Sequence, residues 1–187
     1  MRKPAFCLAG LGAAFCLTSA SAAEWQMDPS ASNRLEFTAS FEKAPVTGVF
    51  RNFEVRFGFD PLKPARNHLD VIIRTSSADM ANPDINQAIA GMEWFDFMRY
   101  RQAEFRASDI RSEPGEASYL ARGTLSLKGV QQPLEFPFTW SPADGKMVGE
   151  LVTQRSIFGI GTGEWKSTDI VGDAVKVKFR IQLRPLP

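Results

Sequence analysis

The 187 residues carry 22 Lys and Arg against 21 Asp and Glu, a formal net charge of +1, with one histidine, two cysteines, four tryptophans and 15 phenylalanines. A near-neutral chain with no run of basic residues has no means of tracking a phosphate backbone, which argues against nucleic acid as a partner. One histidine, and no thiol beyond Cys16, likewise argue against a zinc site built from several His or Cys ligands and against most nucleophilic machinery.

At the N-terminus, Arg2 and Lys3 precede an apolar run from Ala5 to Leu17 and a small, polar stretch from Thr18 to Ala23. This is the pattern of a secretory signal peptide. The run of 13 residues falls short of the roughly 18 to 20 that a membrane-spanning helix needs, and no second candidate follows, so a soluble periplasmic protein is expected. Small residues permit cleavage after Ala22 or after Ala23. Taking 1–23 as the signal leaves 24–187, which is 187 less 23, or 164 residues in one domain large enough to bury a core without cross-links. Cys7 and Cys16 both fall in the removed part, so no disulfide is expected. Bulky Phe15 before Cys16 counts against lipid attachment at that cysteine.

Alternation governs the rest. From Arg34 to Phe41, Leu35, Phe37, Ala39 and Phe41 share one face of a strand. The same period recurs at 53–59, 69–73, 134–140 and 175–181, with further strands at 119–127 and, less regularly, 147–155. Turn residues separate these runs at Asp60-Pro61, Pro114-Gly115, Lys128-Gly129, Ser141-Pro142 and Asp144-Gly145. Between Asp84 and Tyr100 the spacing of Ile85, Ala88, Ile89, Met92 and Phe95 becomes that of a helical face behind Asn82-Pro83, predicting one or two short helices. Seven or eight strands with one inward face fit a closed barrel or a two-sheet sandwich, and periodicity does not choose between them.

Chemistry-bearing residues are sparse, and no catalytic residue, cofactor or metal is expected. His68 sits near Asp70 on the polar side of a strand, where a solvated histidine is the ordinary outcome. Asp79 and Asp84 lack the spacing of a calcium loop, and Glu93 and Asp96 alternate with Trp94, Phe95 and Phe97 as the wet side of an amphipathic turn does. Gly159-Ile160-Gly161-Thr162-Gly163 lacks the Lys and Ser/Thr of a phosphate loop and reads as a link needing unusual backbone angles before Trp165.

Five segments, in order, resemble the YceI-like family of secreted polyisoprenoid-binding proteins. They are Trp25 to Phe37; Gly48-Val49-Phe50-Arg51-Asn52-Phe53; the insert ending in Phe95-Asp96 before Ala103-Glu104-Phe105; Gly123 to Val130; and Arg155-Ser156-Ile157-Phe158-Gly159-Ile160. Two positions depart from the family pattern. Glu42-Lys43-Ala44-Pro45 stands where a histidine is frequent, and Arg101 replaces a proline, so head-group contacts are expected to differ.

The resemblance implies an all-β, lipocalin-like antiparallel barrel with a short helical insertion. It implies a long isoprenoid or quinone-like lipid held inside without chemistry, and structural roles for Gly48, Gly123, Gly129, Arg155, Phe158 and Gly159. Inward Leu35, Phe37, Phe53, Val55, Phe57, Phe136, Phe138, Trp140, Val177 and Phe179 are the candidates for the tunnel wall. The alternative is a scaffold that presents loops or the Trp94 to Tyr100 segment to a periplasmic or membrane-bound partner, as some relatives accompany cytochrome b561-type proteins.

Overall fold

The computed structural model describes residues 23–186 apart from Glu116. The expected signal peptide, with Cys7 and Cys16, lies outside the described residues save for Ala23.

The strands are β1 (Ala23–Met27), β2 (Arg34–Phe41), β3 (Ala44–Phe50), β4 (Phe53–Phe59), β5 (His68–Arg74), β6 (Ala78–Asp79), β7 (Gln102–Ser112), β8 (Ser118–Leu127), β9 (Val130–Ser141), β10 (Lys146–Gln154) and β11 (Ala174–Pro185). Helix α1 (Pro83–Ile89) follows β6. Hydrogen bonding runs β1-β4-β5-β7-β8-β9-β10-β11, and β11 pairs back onto β1, with every neighbour antiparallel. The sheet is therefore a closed barrel rather than a sandwich, as the family resemblance implied.

Beyond bends in the chain, β2, β3 and β6 carry on the walls begun by β1, β4 and β5, which makes eight long staves. The first bend is stitched to β11: the Asp28 amide donates to the Gln182 carbonyl, and the Gln182 amide donates to Asn33 Oδ1 at 2.8 Å.

Period-two burial explains these strands. In β4, Phe53, Val55 and Phe57 are buried while Glu54 and Arg56 face water. On the outside, Arg56, Arg122, Glu135, Lys176 and Lys178 are exposed, and Glu36 is half-buried among Arg34 and Lys178. A charged outer wall is the opposite of the apolar band by which a membrane barrel meets lipid. Among the described residues no helix is long and apolar enough to cross a membrane.

The strand β7 escaped the alternation because two of its inward residues, Ala103 and Ala107 on either side of Phe105, are small, and because the register slips between Ala107 and Asp109. That bulge turns Ile110 inward instead of Asp109. Opposite it stands Gly123, where a Cβ would strike the Arg106 carbonyl and Ala107.

Helix α1 starts where Asn82-Pro83 predicted, with Asn82 Oδ1 accepting from the Asp84 amide (2.9 Å) and the Ile85 amide (3.2 Å). It is the one helix between 82 and 101, and it stops at Ile89. Turns then carry the chain on, the Phe95 amide reaching the Ile89 carbonyl and the Asp96 amide the Gly91 carbonyl. Phe95 is buried by these turns, but Met92 is 80% exposed and does not belong to the helical face that its spacing predicted.

Candidate functional site

The two ends of the barrel are filled differently. At one end, where β4 meets β5 and β9 meets β10, aromatic rings cross the lumen. Trp140 lies 4.8 Å from Phe57 and 5.4 Å from Trp25, and Tyr119 lies 4.9 Å from Phe59 and 5.5 Å from Phe138, mostly edge to face. A barrel of eight strands is just wide enough for such rings to close it. Phe57, Phe138 and Trp140 belong to this plug, and none of them lines the cavity. Alternation gives the face of a strand and not the height along the barrel, so these three candidate wall residues point inward at the level of the plug.

Above the plug the inward residues are shorter, and a cavity of about 520 Å³ opens. Its floor includes Leu69, Met147 and Ile181, and its sides include Leu35, Phe37, Phe53, Val55, Phe136, Val177 and Phe179, seven of the ten candidate wall residues. Val55, Val71, Val175 and Val177 do not reach across the lumen as a phenyl ring does. Glycines let the larger rings lie flat: a Cβ on Gly149 would collide with the Phe179 ring, and one on Gly48 with Phe37 and Met80. Leu134, Phe105 and Leu125 also line the wall and follow the same period. Ile160, Trp165 and Val171 line it from an irregular segment, where periodicity carries no signal.

That segment, 155–173, forms a roof together with α1 and the turns after it, and Arg155 organises it. Arg155 is only 4% exposed, yet among the described residues no carboxylate pairs with it. Its guanidinium donates instead to six carbonyls: Nε to Gly172 (3.1 Å), Nη1 to Ile160 and Gly161 (both 2.9 Å), and Nη2 to Trp165 (2.9 Å), Ser167 (3.2 Å) and Val171 (2.8 Å). A fork of five N–H groups can satisfy so many converging carbonyls, whereas a lysine ammonium has three donors on one atom.

The loop must come close to allow this. Gly161 has φ +73° and no room for a Cβ beside the guanidinium, while Gly159 meets nothing and is needed for its φ of +63°. Phe158, 1% exposed, packs with Ile89, Phe95 and Ile160 beneath the roof.

The two halves of the roof are clipped together. The Gly161 and Thr162 amides both donate to the Glu93 carbonyl, Trp94 lies 5.7 Å from Trp165, and Arg155 Cζ lies 5.8 Å from the Trp94 ring. Lys128 Nζ donates to the Met92 and Gly159 carbonyls at 2.8 and 2.7 Å, and burial holds its ammonium below the usual lysine pKa. Lys128 and Gly129 both have positive φ, and Tyr100 occupies the space a Cβ on Gly129 would need.

Asp79 anchors α1 from the other side, accepting from Asn86 Nδ2, the Ala81 amide and Arg51, so its carboxylate has a structural task. His68 is on the outer wall, with Nε2 3.3 Å from a Glu24 carboxylate oxygen, remote from the cavity. The arrangement can enclose an apolar chain, and among the described residues no nucleophile and base face each other across its wall.

A family model described as a YceI-like domain matches residues 25–183. The chain belongs to the YceI-like family. Among relatives, a UPF0312 protein of Pseudomonas putida (strain W619) is 28% identical over 193 residues, covering 95% of this chain and all of that one. A UPF0312 protein of Photorhabdus laumondii is 31% identical over 87 residues, 46% of this chain and 44% of its own length. Among solved structures, Burkholderia cenocepacia BcnA has 32% identity and a TM-score of 0.75 over 81% of this chain and 96% of that one. A polyisoprenoid-binding domain from Saccharophagus degradans shares the YceI-like fold at 15% identity, with a TM-score of 0.65 over 89% of this chain and all of that domain.

Proposed function

We propose that this YceI-like protein binds a long apolar lipid of isoprenoid or quinone type in its barrel and carries it through the periplasm without chemical change. The observation that carries this reading is the cavity of about 520 Å³, walled almost wholly by hydrocarbon above a sealed floor. Its size is within the roughly 300 to 1,000 Å³ of small-molecule sites. Burying about twenty methylene-sized groups would supply roughly 16 kcal/mol before the costs of association, close to the practical ceiling of roughly 18 to 21. The family, and a fold neighbour described as polyisoprenoid-binding, support a binding protein rather than an enzyme. The signal-peptide pattern at 1–23 supports export.

A second reading, a scaffold for a periplasmic or membrane-bound partner, is favoured by the exposed Met92 and Met98 at the roofed end.

The test is mass spectrometry of organic extracts from protein purified out of its own host, together with Val177→Trp. Val177 lines the cavity in register with Phe37 and Leu151, so the larger indole should fill space otherwise taken by lipid. Occupancy is expected to fall sharply while stability changes by less than about 1 kcal/mol, whereas overpacking a solid core costs about 1 to 3. Folded protein that arrives lipid-free and takes up neither polyprenyl lipids nor quinones would overturn the carrier reading.

A further inference from the structure

The cavity wall has very few polar members, and they fix how a lipid must lie. Phe41, Asp84, Ile85, Ala88 and Gln154 are the wall residues most open to solvent at the roofed end, which places the opening between α1 and the β2–β3 hairpin. The floor offers no donor or acceptor, and a polar group buried without a partner is costly, so the lipid's polar end stays at this opening.

Two charged residues are on the wall, Asp84 and Arg155. Arg155 has every nitrogen committed to backbone carbonyls and is buried behind the roof segment. Asp84 is exposed, and among the described residues its carboxylate has no ion-pair or hydrogen-bond partner. The amides of Asp84 and Ile85, the other groups there able to hold an anion, are already capped by Asn82.

The wider surroundings have the same sign. Segments 41–43, 75–101, 128–129 and 155–173 hold eight carboxylates against six cations; Asp79 among the eight is paired with Arg51, and Arg155 and Lys128 among the six are bonded to carbonyls, which leaves seven carboxylates against four cations.

Resting on the lipid-binding reading above, we propose that Asp84 is a specificity-determining residue: it makes the cavity prefer lipids with an uncharged polar end, such as an alcohol or quinone, over phosphorylated lipids with the same tail. A phosphate at the opening would face the Asp84 carboxylate, and among the described residues no free cation is on the wall to offset it. Like charges a few ångströms apart in a partly wet site repel enough to matter at the tenfold level.

Calorimetric titration with tetraprenyl alcohol, a tetraprenyl quinone and tetraprenyl monophosphate tests this on the signal-free protein. The alcohol and quinone should both bind more tightly than the phosphate, which should bind about tenfold more weakly than the alcohol at low salt, with the gap shrinking as salt is added. Asp84→Asn should narrow the gap to about threefold or less, and Asp84→Lys should close or reverse it. Melting curves on the same samples confirm that both variants fold. Phosphate binding as tight as the alcohol, or a gap that both variants leave untouched, would overturn the proposal and leave the carrier reading standing. Failure of all three lipids to bind would remove both.

Discussion

The plugged end and the roofed end of this barrel are built from one alternating pattern, yet one is solid and the other hollow. At the plug, Trp25, Phe57, Phe59, Tyr119, Phe138 and Trp140 meet across the lumen, and cohesion comes from rings touching rings. At the roof, the inward positions are largely aliphatic and leave space, and cohesion comes from one cation gathering six carbonyls. Side-chain reach decides whether an inward position becomes core or container, and a container needs a cover held by something other than its own filling.

The comparison makes the largest expected effect that of emptying the plug. Phe57→Ala removes a fully buried ring and is expected to cost about 3 to 5 kcal/mol in urea unfolding. Lipid affinity of the folded fraction should be unchanged, and a parallel loss of binding would show that the ends are not independent.

Next comes Arg155→Ala, expected to cost about 2 to 4 kcal/mol, because several buried carbonyls lose their donor at once. Hydrogen exchange should quicken over 158–172 while β7 to β9 stay protected, and lipid retention should drop. Arg155→Lys should recover only part of either property, since a single ammonium cannot span the six acceptors.

The smallest effect is electrostatic. Hydrogen bonds from Asn86 and the Ala81 amide, and then from Arg51, lower the Asp79 pKa from 3.8 to about 2. A carboxyl held low in the folded state stabilises above its unfolded pKa and ceases to do so as pH falls through the folded value. The α1 region should therefore loosen between about pH 4 and pH 2, before the plug does, and Asp79→Asn should remove that acid step.

Much of the fold was legible because most strands carry large residues in strict alternation: 34–41 and 53–59 coincide with β2 and β4. What stayed hidden was physical in origin. The inward alanines and bulge of β7 blur its period, and β3 puts Gly48 where inward bulk would have marked a strand and exposed Pro45 where a strand is disfavoured. The site divided in the same way. Seven candidates reached the cavity wall because face is written in the period, and three did not because height along the barrel depends on how bent staves stack. Arg155 and Phe158 stood out through the family resemblance alone; nothing in their local spacing announces a buried cation that serves carbonyls. Asp84 was noted as a loop carboxylate, but only the closed barrel brings it to the rim of the opening.

The four tryptophans fall into two close pairs, Trp25 with Trp140 in the plug and Trp94 with Trp165 at the roof. Indoles at such separations couple their excited states, so each end of the barrel carries its own chromophore. The plug pair, Trp140 buried and Trp25 half-buried, keeps both indole N–H groups out of water and unbonded and lies off the cavity wall, so its emission should not follow what the cavity holds. The roof pair touches the cavity through both members and is half-exposed, so its emission and near-ultraviolet dichroism should answer to filling, to quenchers and to acid. With both Trp25 and Trp140 replaced by Phe, the protein becomes an optical gauge of its own occupancy that needs no added dye.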